Sequence, residues 1–206
     1  MNDVTRSVQA TTAASAARVA HQRKALPNGM WGAVLFVSGE AALFGTLIAS
    51  YFYLRFNTSP WPPPGIEPPS MALPLALTGA LVLTTVPMAL ASRAAQTGRR
   101  ARACWMLLLA LVVQGGYLGA QIYSFFSDLD KFGPKDNAYG SVYFTLLGAH
   151  HIHVLLGILL NAWILGRLLL GLTNYRVVGV RVVALYWYFV NAVAILVVLT
   201  QLTPSW

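Results

Sequence analysis

Residues 182–203 read VVALYWYFVNAVAILVVLTQLT, a run without one charged side chain. As a helix rising 1.5 Å per residue it spans about 33 Å, enough to cross a hydrocarbon layer about 30 Å thick. Four more long apolar runs precede it, over 30–53, 71–91, 104–126 and 139–170. The run at 139–170 is longer than a crossing needs, so it must tilt or extend beyond the bilayer. Barrel strands would alternate lipid-facing and lumen-facing residues over about ten positions, and no such alternation is present. The fold class expected is all-α: a polytopic membrane bundle of five transmembrane helices.

Composition agrees. The 206 residues are 57% hydrophobic and only 10% charged, with a mean hydropathy of +0.61. A soluble domain of this size carries about a quarter charged residues, so this chain cannot coat itself for water. Cys104 is the only cysteine, which excludes a disulfide scaffold. The net charge of +8 does not point to nucleic acid, because the basic residues are scattered between apolar runs rather than gathered in one stripe.

Their placement sets an orientation instead. Eleven of the fourteen Lys and Arg residues fall in the N-terminal tail and in the second and fourth connections. The first and third connections hold only Arg55, Lys131 and Lys135, beside Glu67, Asp128, Asp130 and Asp136. The positive-inside rule then puts the N-terminus in the cytoplasm and the C-terminus outside. Residues 1–28 read as a mobile cytoplasmic tail, Arg-rich enough to allow an organellar transit peptide as the alternative; residues 29–206 form one membrane domain. The connection PWPPPGIEPP at 60–69 favours a stiff polyproline-type path that turns at Gly65.

Polar groups inside the apolar runs need a partner or a purpose, since an ionisable residue at bilayer depth costs at least about 2.5 kcal/mol. Glu40 lies about 15 Å into the first span, near the midplane. The fourth span carries His150, His151 and His153; positions 150 and 153 share a face, and His151 points about 100° away. Tyr188 and Asn191 on the fifth span fall at similar depth, so Glu40, His150, His153, Tyr188 and Asn191 form one expected polar layer. Imidazoles and a carboxylate could hold a metal. Against this, the spans lack an H-E-x-x-H motif and a second carboxylate, and a hydrogen-bonded histidine pair stitching helices is the favoured reading. Gln114, Gln121 and Asn161 are expected to bond between helices. Gly115 and Gly119, with Gln121, mark an expected close helix contact, and Pro87 an expected kink in the second span.

Several stretches carry a family resemblance. WGAVLFVSGEAALF (31–44), WPPPGIEP (61–68), GAHHIHVLLG (148–157) and YWYFVNAVAIL (186–196), with GYLGAQIYSF (116–125) more weakly, are similar in order and spacing to motifs of subunit III of haem-copper terminal oxidases. The chain resembles the shorter, five-helix bacterial form of that subunit. The resemblance implies a non-redox companion that binds no haem or copper itself and has no catalytic centre. Haem and copper would sit in partner subunits, with subunits I and II and membrane phospholipid as companions. It further implies a bacterial cytoplasmic membrane and support of proton uptake and stability in subunit I of a proton-pumping cytochrome c oxidase. Glu40 matches the family's buried carboxylate, and His150 and His153 its paired histidines. Tyr188, Asn191 and Ser124 stand where the family usually has His, Asp and Glu, so hydrogen-bonded packing rather than proton relay is expected there. The alternatives are a quinol oxidase or nitric oxide reductase component and, outside the class, a small proton or solute transporter.

Overall fold

The computed structural model describes residues 27–66 and 72–202. The tail over 1–26, Glu67, the starting residue of the expected second span and the last four residues lie outside the described residues. All the described regular structure is helical: α1 (Asn28–Asn57), α2 (Ala72–Leu83), α3 (Thr85–Gln96), α4 (Arg100–Leu129), α5 (Ala138–Leu169) and α6 (Asn174–Leu202). Helices α2 and α3 together make one crossing, so five membrane-length segments are present among the described residues. The helices overrun the apolar stretches at most ends. A helix has no reason to stop at the edge of the hydrocarbon, because its backbone bonds are satisfied internally on both sides of it.

The break in the second crossing falls at Thr84, three residues before Pro87. A proline ring collides with the carbonyl four residues back and offers no N–H to it; that carbonyl belongs to Leu83, the last residue of α2. Thr84 fills the gap, its backbone N–H and its hydroxyl both donating to Leu81 O, at 3.0 and 2.6 Å. The expected kink is therefore real and lies a turn ahead of the proline.

Other ends follow local chemistry. Asn137 caps α5, its Oδ1 accepting from Gly140 N at 2.8 Å. Helix α3 ends in a Schellman turn: Arg99 N donates to Ala94 O at 2.8 Å and Gly98 N to Ala95 O at 3.2 Å, with Gly98 at φ +75°. Within the apolar part of α1, Ser38, Thr46 and Ser50 donate their hydroxyls to carbonyls four residues back, which hides them from lipid. The first connection turns at Gly65 as expected, with φ +94° there and Ile66 N donating to Pro63 O at 3.2 Å. Trp61 folds back onto both α1 and α5, donating to the Tyr51 hydroxyl at 3.3 Å and packing edge-on to Tyr139.

Helix α6 is central, packing on α1, α2, α3 and α5; α4 closes the ring between α2–α3 and α5. Helix α1 touches only α5 and α6. In its most apolar stretch 6% of residues are buried, against 56% for α6, so α1 is a helix docked on the outside of a four-crossing bundle. One end of the bundle gathers the arginines. Arg100 donates to Leu169 O, Arg176 to Gly171 O, and Gly29 at the start of α1 adjoins Val178 at the start of α6.

Among the described residues the expected close contact at Gly115 and Gly119 is not made: a Cβ at either would meet nothing within 4 Å. Both glycines lie on the outer face of α4, while Gln121 is buried. The close approach is at Gly157 on α5, where a Cβ would stand 2.8 Å from the Trp187 ring and 3.0 Å from Tyr186. Trp187 is fully buried and cannot yield cheaply. Gly157→Ala is expected to destabilise the chain by about 1–3 kcal/mol, read as a lowered thermal midpoint in detergent. Gly115→Ala should leave that midpoint unchanged or slightly raised.

Candidate functional site

Glu40 comes to the α1–α5–α6 seam because positions 36, 40 and 44 share one face of α1. Phe36 stands over Tyr186, and Phe44 packs edge-on to the His153 ring at 4.9 Å. Between them, Glu40 Oε2 lies 2.9 Å from His153 Nε2. The other ring nitrogen, Nδ1, is 2.7 Å from the Ala149 carbonyl. Tyr186 on α6 donates its hydroxyl to His153 O at 2.9 Å, so all three helices meet at this histidine.

Read as hydrogen bonds, the two contacts to the His153 ring set a proton count. A carbonyl oxygen only accepts, so Nδ1 must carry a hydrogen. The Nε2···Oε2 contact then needs one hydrogen of its own. It is held either by a carboxylic acid donating to neutral imidazole or by an imidazolium donating to carboxylate. Both arrangements place a single proton between Glu40 and His153, and both leave the pair with no net charge. That answers the cost of an isolated carboxylate in hydrocarbon. The pair is not sealed, since 21% of the Glu40 side chain and 14% of the His153 side chain remain open on the outer side of the bundle.

The rest of the expected layer separates into different contacts. His150 does not pair with His153. Its ring turns to α4, with Nε2 3.1 Å from the Tyr117 hydroxyl, because a three-residue step on a helix that faces two neighbours is enough to give each histidine its own partner. His151 packs on Phe125. Asn191 donates to Thr85 Oγ1 at 2.8 Å, tying α6 to the residue just after the helix break. Tyr188 is 37% exposed and joins none of these groups. Gln114 accepts from Asn161 Nδ2 at 2.9 Å, which links α4 to α5. Among the described residues no group of three or more His, Cys, Asp or Glu side chains is placed to hold a metal.

Sequence reasoning missed Tyr117, Tyr186 and Thr85 as the partners of His150, His153 and Asn191. Tyr117 could have been found from its place one turn before Gln121 on the same face. At the opposite end from the arginines, Asp128 accepts from the Tyr143 hydroxyl at 2.8 Å and pairs with Lys131 at 3.1 Å, another contact that spacing alone does not disclose.

Comparisons with known proteins bear on the chain as a whole. The family model described as cytochrome c oxidase subunit III matches residues 6–203. The chain is similar to a "Cytochrome c oxidase subunit 3" of Pisaster ochraceus, 30% identical over 175 residues, covering 81% of this chain and 66% of the relative. It is also similar to one from Bacillus subtilis, 29% identical over 168 residues, covering 80% and 79%. A third, from Tachyglossus aculeatus aculeatus, is 26% identical over 181 residues, covering 84% and 69%. The chain thus spans about two thirds of the length of these animal relatives.

Removing the carboxyl tests the pair. Glu40→Leu leaves Nε2 of His153 without a partner and is expected to lower stability by about 1–3 kcal/mol. Glu40→Gln, which can donate to the same nitrogen, should recover most of that loss in a thermal melt of the detergent-solubilised chain.

Proposed function

This chain belongs to the cytochrome c oxidase subunit III family, and on that premise we propose that it acts as the non-redox accessory subunit of a proton-pumping cytochrome c oxidase. It is a multi-pass membrane protein and a component of an oxidase complex. Its proposed neighbours are subunits I and II, and its proposed location is the bacterial cytoplasmic membrane with the arginine-rich end inside. That orientation is supported by the gathering of arginines at one end of the bundle and of Asp128, Asp130 and Asp136 toward the other.

The observation that carries the reading is the close Glu40–His153 contact, 2.9 Å between Oε2 and Nε2, at the seam of α1, α5 and α6. A group that keeps one proton between two side chains at mid-membrane depth suits support of proton uptake in an adjoining catalytic subunit. Electron transfer would belong to that partner, whose haem and copper supply the redox chemistry of oxygen reduction. A stand-alone transporter would need a polar path through the bundle, whereas the polar groups here form separate couples on different helix seams.

Affinity purification of the tagged chain from its own membranes tests this. The expected result is co-elution with a haem spectrum and oxygen consumption driven by reduced cytochrome c. A Glu40→Gln complex should assemble equally well yet lose activity after fewer turnovers. Recovery from its own membranes with no haem-bearing partner would contradict the assignment, and oxygen consumption driven only by quinol would move it to the quinol branch.

A further inference from the structure

The last turn of α3 and the first turn of α4 bound a cavity of about 250 Å³ lined by Arg93, Arg99, Arg102, Thr97, Leu90 and Ala94. The Schellman turn at Gly98 gathers these charges from two helices, folding Arg99 back over Ala94. Thr97 adds no donor to the cavity, because its hydroxyl already serves the carbonyls of Arg93 and Ala94. Neither ion pair found among the described residues involves an arginine. Helix α4 also starts here with Arg99 at its N-cap position, no side-chain cap and no acid in its first turn. Arg100 N is already bonded to Gly98 O at 3.0 Å, and the positive end of the α4 dipole acts in the same sense as the guanidiniums. Positive charges held around one cavity repel unless an anion is supplied.

We propose that this cavity binds the phosphodiester group of an anionic phospholipid. Guanidinium forks match phosphate oxygens in pairs, and basic pockets between membrane helices on the cytoplasmic side take anionic headgroups. A lipid fits better than free phosphate because the cavity is amphipathic along the membrane normal. Leu90 lies about one turn deeper than Ala94, so an acyl chain leaving the headgroup meets an apolar wall and then the bilayer.

The test counts lipids on the full chain in its native complex, delipidated and followed by native mass spectrometry during titration. Phosphatidylglycerol is expected to bind and phosphatidylcholine to bind more weakly, while inorganic phosphate does not displace the lipid. R99Q/R102Q should weaken phosphatidylglycerol binding by roughly thirtyfold, and R93Q, which leaves both α4 arginines in place, by roughly fivefold. The single variant decides the matter if the double variant does not assemble. Equal phosphatidylglycerol binding by wild type and R93Q would overturn the proposal, as would phosphatidylcholine binding equally tightly or phosphate displacing the lipid. The cytoplasmic placement of the cavity rests on the orientation proposed above, and because none of these readouts uses oxygen reduction, failure here is distinguishable from failure of the functional assignment.

Discussion

A carboxyl group placed in hydrocarbon must find a hydrogen-bond partner or lose its helix to the lipid, and Glu40 finds His153. The docking of α1 depends on that contact more than on packing. Only Phe44 and Tyr51 are buried among its thirty residues, and it lies against two helices alone. Apolar contact does little to hold a membrane helix to its neighbours, because lipid tails are as apolar as leucine. What remains for α1 is a polar bond at mid-depth and an aromatic clasp at one end, where Trp61 closes over Tyr51 and Tyr139.

The same contact shows how histidines at adjacent turns of α5 come to serve different neighbours. His153 is oriented by the Ala149 carbonyl on its own helix and the Glu40 carboxyl on another, while His150 is directed into the bundle by Tyr117. Each ring is committed to a different seam. The arrangement is a pair of interhelical stitches, and the outer one holds a proton without holding charge.

Much of this was legible in the sequence. Long apolar runs of span length point to the five crossings, because backbone polarity leaves no other way through a bilayer but a helix or a closed barrel. Glu40 and His153 could be named as polar groups at one depth from residue counting alone. Their pairing was weighed equally with His150, since rise per residue gives depth but not which neighbour a face meets. The glycines show the same limit. Gly115 and Gly119 have the spacing of a contact motif and face outward, whereas Gly157, with no motif around it, is where the α5 backbone approaches Trp187. Motif spacing describes one helix; contact is a property of two. Tyr188 sits on the same helix as the buried Asn191, yet three residues of rotation carry it to the surface.

The central claim is that Glu40 and His153 act as one unit, and a double-mutant cycle on thermal unfolding of the chain measures it directly. With Glu40→Leu, His153→Leu and the double variant, the account predicts a coupling of roughly 1 kcal/mol, at the upper range for hydrogen bonds between membrane helices. Single effects that simply add would mean that the two side chains are neighbours without being partners.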